Sequence, residues 1–418
     1  MGSMDAARAM TGFFDAPVRG KNLDDLRRAN LSTALGLIHA AGSISRADLT
    51  RSMGLNRSTI ATIVADLEAR DLIVVGEARD TKRIGRPSLE ISTSVRHVVI
   101  AVNPELDATT LGIVAMGGRV LREVRMEHER PPTAREVVNS VRALVAGMQP
   151  ELGERHVVIG VALAVPGLVS AVDGSVRLAP HLGWVDEPIS AMLADALGVP
   201  AWAANDASCG VVAEVLFGAG TGSGNVVFLN GGASGIGGGI VAEARLIQGR
   251  GGFGGEIGHT LVRTDGAACR CGSQGCLEAE VTRRALLEAV DLGVERSHEL
   301  EALLAEAYVD RDDVRALLDA QLASLAVALR TIINTLNPEV VVLGGFLEIL
   351  GRIGGERLER MLRADALPGP AEQVRLQGAR LGRMSLLIGA AELAFRPFLS
   401  DPIAVPVAAG RASLADLG

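Results

Sequence analysis

Four residues in the middle of the chain have the types and spacing to hold a metal ion. His259, Cys269, Cys271 and Cys276 supply three thiolates and one imidazole, a complete tetrahedral set for structural zinc. The Cys-x-Cys-x4-Cys run is short and carries Gly272 and Gly275, so its backbone can fold around an ion. Three free thiols are the plain alternative. Cys209 stands apart and reads as a small buried hydrophobe. A closed zinc site does no chemistry; it fixes the loop that bears its ligands. Polar groups suited to a polyhydroxylated ligand flank this loop. Glu256 precedes His259 by one helical turn, Glu278 follows Cys276, and Asn205-Asp206 closes a short apolar run, Pro200 to Ala204. Carboxylates, an amide and an imidazole together can meet the paired donors and acceptors of vicinal sugar hydroxyls. Taken singly, Glu256 or Glu278 is an ordinary surface charge; the zinc loop is what ties them to a site.

The elements that must position these groups alternate between strand and helix. Val98–Val102, Thr110–Met116 and Leu121–Met126 read as three successive strands, followed by a helix from Ala134 to Met148 and a buried strand, Val157–Val165. A second set begins near Asn205. It has a strand at Val226–Leu229, a Gly-rich hairpin at Ile236–Ile247, a helix at Val314–Leu336 and strands at Val340–Leu343 and Val374–Leu376. Strands in threes followed by helices, occurring twice, predict an α/β body of two lobes with a cleft between them. The lobes are expected at 97–204 with about 388–418, and at 205–387 with the zinc loop.

The first ninety residues read differently. Residues 1–25 lack apolar periodicity and are expected to be a flexible arm, in which Met1-Gly2-Ser3-Met4 reads as a tag before a native Met4. Over 26–92, Leu31, Leu35 and Ile38 mark one helix, Ser45 and Asp48 cap a short second, and Gly54 turns the chain. Asn56 then caps a longer third helix with Ile60, Ile63, Val64 and Leu67 on its apolar face. Two short strands, Leu72–Val75 and Leu89–Ile91, flank a loop with Arg79, Lys82, Arg83 and Gly85-Arg86-Pro87. This is the order of a winged helix-turn-helix. Asn56, Arg57, Ser58, Thr59 and Thr62 crowd the N-terminal end of the third helix, where a recognition helix meets base edges. Arg86 is set to enter a narrow minor groove. The bland alternative is a three-helix dimerisation module.

Composition bounds the rest. The chain has 418 residues, 48% of them hydrophobic, which excludes a mainly disordered protein. Only 3% are aromatic, against a single-strand binder built on stacking platforms. Net charge is −8, divided as +2 over residues 1–90 and −10 over the remainder, so DNA binding would belong to the head alone. No signal peptide or membrane span is read, and the clustered cysteines do not form a secreted disulfide framework. The expectation is a cytoplasmic protein with reduced thiols.

The motifs resemble a known family. Glu-x-Gly-His at 256–259 and Cys-x-Cys-Gly-x2-Gly-Cys-Leu-Glu at 269–278 are similar to the signature of the ROK family (repressor, open reading frame, kinase). Val165-Pro166-Gly167, Asn205-Asp206, Glu214, Phe217-Gly218-Ala219, Asn337 to Gly345 and Ile388-Gly389-Ala390-Ala391 match as well. The resemblance covers residues 27–400. It implies an actin-like, hexokinase-type (ribonuclease H-like) fold, with Asn205, Asp206, Glu256, His259 and Glu278 holding a sugar. In the family's kinases an aspartate at the place of Asp206 is the general base.

One departure separates this chain from those kinases. Where they carry an Asp-x-Gly-Gly-Thr phosphate turn, the chain reads Asn103-Pro104-Glu105-Leu106-Asp107-Ala108-Thr109-Thr110. No glycine pair brings N–H groups to phosphate, Pro104 removes a donor, and Glu105 and Asp107 repel an anion. The second phosphate turn, Ala233-Ser234-Gly235, is only partly altered, and Gly344-Gly345 on the adenosine side remains. Also, His181 of Pro180-His181-Leu182-Gly183-Trp184 replaces an asparagine found in many members; it either meets a hydroxyl or sits in a surface loop. The expected function is a sugar-responsive DNA-binding regulator, a repressor, acting on operator DNA as a homodimer or dimer of dimers, with no catalytic residue. The alternatives are an active sugar kinase with a DNA-binding head, and a regulator that senses a protein partner. The particular sugar, the operator and the sign of regulation are not legible.

Overall fold

The computed structural model describes residues 23–76 and 89–403. The N-terminal arm, the wing loop with Arg79, Lys82, Arg83 and Arg86, and the chain after Ile403 lie outside the described residues.

The head opens with α1 (Leu23–Ala41), whose Leu31, Leu35 and Ile38 are fully buried. Gly42, at φ +67°, ends it, and β1 (Ser43–Ser45) follows, a strand that apolar periodicity does not signal. Ser45 accepts from the Asp48 N–H at 3.0 Å and caps α2 (Arg46–Met53); Gly54 closes that helix in the left-handed region. Asn56 Oδ1 accepts from the Thr59 N–H at 2.8 Å and starts α3 (Arg57–Glu68). β2 (Ile73–Gly76) and β3 (Glu90–Thr93) complete an antiparallel sheet ordered β1-β3-β2.

The body contains two five-stranded sheets. β4 (His97–Pro104), β5 (Ala108–Ala115) and β6 (Arg119–Glu127) form an antiparallel meander. The capping box of Thr133 and Glu136 starts α4 (Ala134–Arg155), which returns the chain to β7 (Val157–Val165), parallel to β4. A small sheet of β8 (Leu168–Val169), β9 (Val176–Ala179) and β10 (Trp184–Glu187) projects from the end of β7. α5 (Ile189–Leu197) then leads to β11 (Ala201–Asn205), giving the order β11-β7-β4-β5-β6.

From β11 the chain turns directly into α6 (Asp206–Phe217), then β12 (Val226–Gly232), β13 (Gly235–Ala242) and β14 (Arg245–Leu246). After the cysteine loop come α7 (Leu277–Glu280), α8 (Arg283–Ala289), α9 (Leu300–Asp310) and α10 (Asp312–Leu336). β15 (Val340–Gly345), α11 (Phe346–Asp365), α12 (Pro368–Gln373) and β16 (Arg375–Gly378) finish the second sheet, ordered β14-β13-β12-β15-β16. The last helix, α13 (Met384–Ser400), crosses back to the first sheet.

Three apolar clusters hold this together. One covers the outer face of the first sheet with α4 and α5. A second covers the outer face of the second sheet with α8 to α11. The third lies between the sheets, around α6 and α13, and runs without a break into the head through Leu31, Leu35 and Ile38. The two central helices cross closely: a side chain on Gly389 would strike the Cys209 carbonyl. α10 is long and apolar enough to cross a membrane by length and composition, but nine of its residues, among them Leu318, Leu322, Leu325 and Leu329, are buried in the second cluster, as in a core helix.

Candidate functional site

The cleft between the sheets is built at the ends of β4, β7, β11 and β12, where parallel strands deliver loops to one edge. It has an open volume of about 570 Å3 and is lined by all five residues singled out for a sugar: Asn205, Asp206, Glu256, His259 and Glu278. His181, half-buried in the turn before β10, lines it too. A larger groove of about 1420 Å3 beside β16 holds no comparable constellation.

Asn205 is also the N-cap of α6. Its Oδ1 accepts from the Ser208 N–H at 3.0 Å and its amide donates to the Gly167 carbonyl at 3.2 Å. This fixes Asp206 at the first turn of the helix, where its carboxylate meets the favourable end of the dipole. Asp206 is 6% exposed. Its Oδ1 accepts from the Ala207 N–H at 2.8 Å and its Oδ2 from Asn230 Nδ2 at 3.3 Å. Burial pushes its carboxyl up to about 7, and the Glu105 charge adds to this against the opposing Ala207 N–H. Asn230 carries no motif signal in the sequence; only the pairing of β12 with β13 brings it beneath Asp206.

The metal-ligand set gathers as the spacing implied. One ligand atom from each of His259, Cys269, Cys271 and Cys276 lies within 4.8 Å of all the others. Cys271 Sγ is 3.7 Å from Cys276 Sγ, and Cys269 Sγ is 3.7 Å from His259 Nδ1. A tetrahedron with ligands at about 2.3 Å has edges of about 3.8 Å, so the group fits a four-coordinate ion. The Ser273 backbone N–H and the neighbouring Cys269 thiol hold the exposed Cys271 below the ordinary thiol range, whereas burial pushes Cys276 up. His259 turns Nδ1 toward the cysteines and Nε2 toward Glu256 Oε2, 3.8 Å away. Glu278 Oε1 accepts from the Cys269 thiol at 3.2 Å and lies 3.6 Å from His259 Nδ1. Gly235, at φ +114°, faces Glu278 so closely that a side chain there would collide with its carboxylate. Burial raises Glu256 above the usual carboxylate range and lowers His181.

In the head, Arg57 and Thr62 are exposed, and the Arg57 guanidinium makes no hydrogen bond or ion pair among the described residues. Asn56 and Ser58 are partly committed to the cap, with Ser58 Oγ donating to Asn56 Oδ1 at 2.7 Å, and Thr59 is half-buried with its N–H on the same oxygen. The Thr62 hydroxyl donates to the Ser58 carbonyl at 3.2 Å. Arg86 cannot be placed, being outside the described residues. The head is joined to the body by a buried pair that the sequence does not reveal. His39, fully buried at the end of α1, meets Glu392 of α13 with Nε2 3.0 Å from Oε2, and accepts from the Gly117 N–H at Nδ1. Its ring stands edge-on to Phe217, the last residue of α6, at 5.3 Å.

Two α/β lobes with crossed helices between them, a polar cleft at the strand ends and a winged helix in front define a hexokinase-type body joined to a helix-turn-helix domain. The chain belongs to the ROK family, whose profile matches residues 100–396, and a MarR family profile matches residues 30–84 of the head. It is 23% identical to the xylose repressor of Caldicellulosiruptor bescii over 90% of this chain and 98% of that one. Among solved structures, a ROK family transcriptional regulator homologous to the Escherichia coli MLC protein superposes with a TM-score of 0.71 at 25% identity, covering 90% of this chain and 97% of that one. The ROK glucokinase of Streptomyces griseus, solved with glucose and AMPPNP, superposes with a TM-score of 0.59 at 28% identity, covering 71% of this chain and 98% of that one.

Proposed function

We propose that the chain is a DNA-binding transcriptional repressor of sugar use whose cleft binds a sugar and transfers no phosphate. The observation that carries this reading is the turn from Asn103 to Thr110. Asn103 spends its amide on the Ala164 carbonyl at 2.9 Å, and the turn presents Glu105 to the cleft where phosphate would need N–H groups. Asn205, Asp206, Glu256, His259 and Glu278 are the sugar-holding residues, with Asp206 accepting from a hydroxyl. His259, Cys269, Cys271 and Cys276 would hold a zinc ion, which fixes the loop bearing two of those groups. Arg57 and Thr62 are the leading base-reading residues, with Asn56, Ser58 and Thr59 positioning the helix and contacting the backbone, and Arg86 reaching the minor groove. The head would be 26–92, the first lobe 97–204 with the last helix, and the second lobe 205–387. A cytoplasmic homodimer or dimer of dimers would place two heads on one operator.

Sugar acts by binding one lobe arrangement better than another. α6 supplies a path: Asp206 begins it at the cleft, and Phe217 ends it against His39 of the head. A second reading, an active kinase, draws on Asp206 itself, since a buried carboxyl raised to about 7 suits a general base. One experiment separates them. A gel shift with an operator selected from random DNA, with and without sugars, is run beside a phosphorylation assay with ATP and magnesium. Sugar-dependent release of DNA with no sugar phosphate formed is the expected result; phosphate transfer abolished by Asp206→Asn would establish the kinase.

A further inference from the structure

The acidic turn after β4 does more than lack a phosphate cradle. The Glu105 N–H donates to the Ala108 carbonyl at 2.8 Å, which closes the turn and aims the side chain across the cleft. Glu105 Oε1 comes within 3.0 Å of where a side chain on Gly232 would begin, so the carboxylate packs closely against this glycine. It faces the Ala233 backbone N–H, in the second of the two turns that cradle phosphate in the kinases the chain resembles. That same Gly232 position lies 3.7 Å from Asn230 Nδ2, the donor that holds Asp206. Glu105, Asp206, Gly232 and Ser234 therefore line one end of a single cavity. The Ser234 hydroxyl there is buried and makes no hydrogen bond.

The next acidic residue supports the arrangement. Asp107 Oδ2 lies 3.5 Å from Arg125 of β6 and 3.5 Å from Arg283 of α8. The Arg283 pair joins the first sheet to the second lobe across the cleft. Burial, and then the charge of Asp107, push Glu105 above the usual carboxylate range, while the two guanidiniums oppose that rise. Glu105 thus faces a backbone N–H and lies in the field of two cations paired with Asp107, at the place where a phosphoryl group would need the same donors.

We propose that Glu105 sets the chemical class of the effector: its carboxylate stands in for a phosphoryl group beside Asp206, so the cleft takes neutral sugars and excludes sugar phosphates. A phosphate monoester carries about −1.5 to −2 charge at pH 7, and beside Glu105 and Asp206 it would meet two carboxyls in a partly desolvated space. This rests on reading the cleft as a sugar site.

The test uses the full chain, as wild type, Glu105→Ala and Glu105→Gln. Calorimetry measures binding of D-glucose, D-xylose, N-acetyl-D-glucosamine, the 6-phosphates of the two hexoses, and inorganic phosphate alone. The wild type should bind a free sugar and bind neither 6-phosphate nor inorganic phosphate detectably. Glu105→Ala should gain at least ten-fold in affinity for inorganic phosphate and for the 6-phosphates, through Ala233 and Ser234 and through the loss of one negative group beside Arg125 and Arg283. Glu105→Gln, which keeps the volume and removes the charge, should gain less. Wild-type binding of a 6-phosphate more tightly than its free sugar would overturn the proposal, as would the absence of any phosphate gain in both variants. The inorganic phosphate arm contains no sugar. A gain there without sugar binding in any form of the protein would support the role of Glu105 and sink the sugar-site reading instead.

Discussion

Replacing Asp206 with asparagine should weaken sugar binding and stabilise the protein in a pH-dependent way. The carboxyl rises from an ordinary 3.8 to about 7 because the folded chain buries it. A folded value above the unfolded one means that, between these two pH values, the folded protein keeps a proton the unfolded chain has lost. Stability is then fully present below about pH 4, falls as pH rises toward 7, and is flat above. At 1.36 kcal/mol per unit, the cost is about 1.7 kcal/mol at pH 5 and about 4 kcal/mol at pH 8. Asparagine keeps an acceptor for the Ala207 N–H and has no charge to desolvate, while Asn230 can turn its amide to meet it. The advantage of Asp206→Asn over wild type in chemical denaturation should therefore widen by roughly 2.5 kcal/mol from pH 5 to pH 8. Sugar affinity should fall about 10–100-fold, the loss of one charge-assisted hydrogen bond. Wild-type affinity should itself strengthen from pH 6 to pH 8 as the carboxylate forms. A stability difference independent of pH would refute the burial argument, and unchanged sugar affinity would remove Asp206 from the site.

Three further outcomes can be checked separately. Arg57→Ala should cost about 1–3 kcal/mol in binding to a selected operator and relax its base preference in gel shifts; equal loss on all sequences would make it a phosphate contact. Cys271→Ser should lose about one metal ion per chain by elemental analysis and lose sugar affinity with it, because the loop carries Glu278 and His259. Full sugar affinity in the metal-free variant would detach the metal from the cleft. His39→Ala should leave Glu392 buried without its partner, lower the melting temperature and reduce the ratio of DNA affinities measured without and with sugar; His39→Gln, which can still donate to Glu392, should recover part of both, and an unchanged ratio in His39→Ala would exclude this contact from the signal path.

Local signals were legible without coordinates. The caps at Ser45 and Asn56, the strand and helix runs of the body and the cysteine spacing depend on residues a few positions apart, and each appears where its pattern put it, with ends moved by up to three residues except in α4, which runs seven residues past Met148. The small sheet β8-β9-β10 and strand β1 were not, because two- to four-residue strands carry too little periodicity to be read. Asn56 caps α3, and polarity alone could not tell that use from the DNA contact expected of it.

Short-range spacing and periodicity signalled two lobes, a helix-turn-helix head and a tetrahedral ligand set, and the family resemblance marked a phosphate turn without its glycines. Only the tertiary structure decided which distant groups share a surface. His39 meets Glu392 across 353 positions, and the Glu214 carboxylate at the end of α6 accepts from Arg380, Leu381 and Ser385, 166 to 171 positions away. Glu105 reads as a turn residue until β12 is laid beside the cleft and Gly232 opens opposite it. Helix and strand periodicity says which face of an element is apolar, but not which other element that face will meet. The second fact comes from closing the sheets over one core, and it gives a buried polar group its partner.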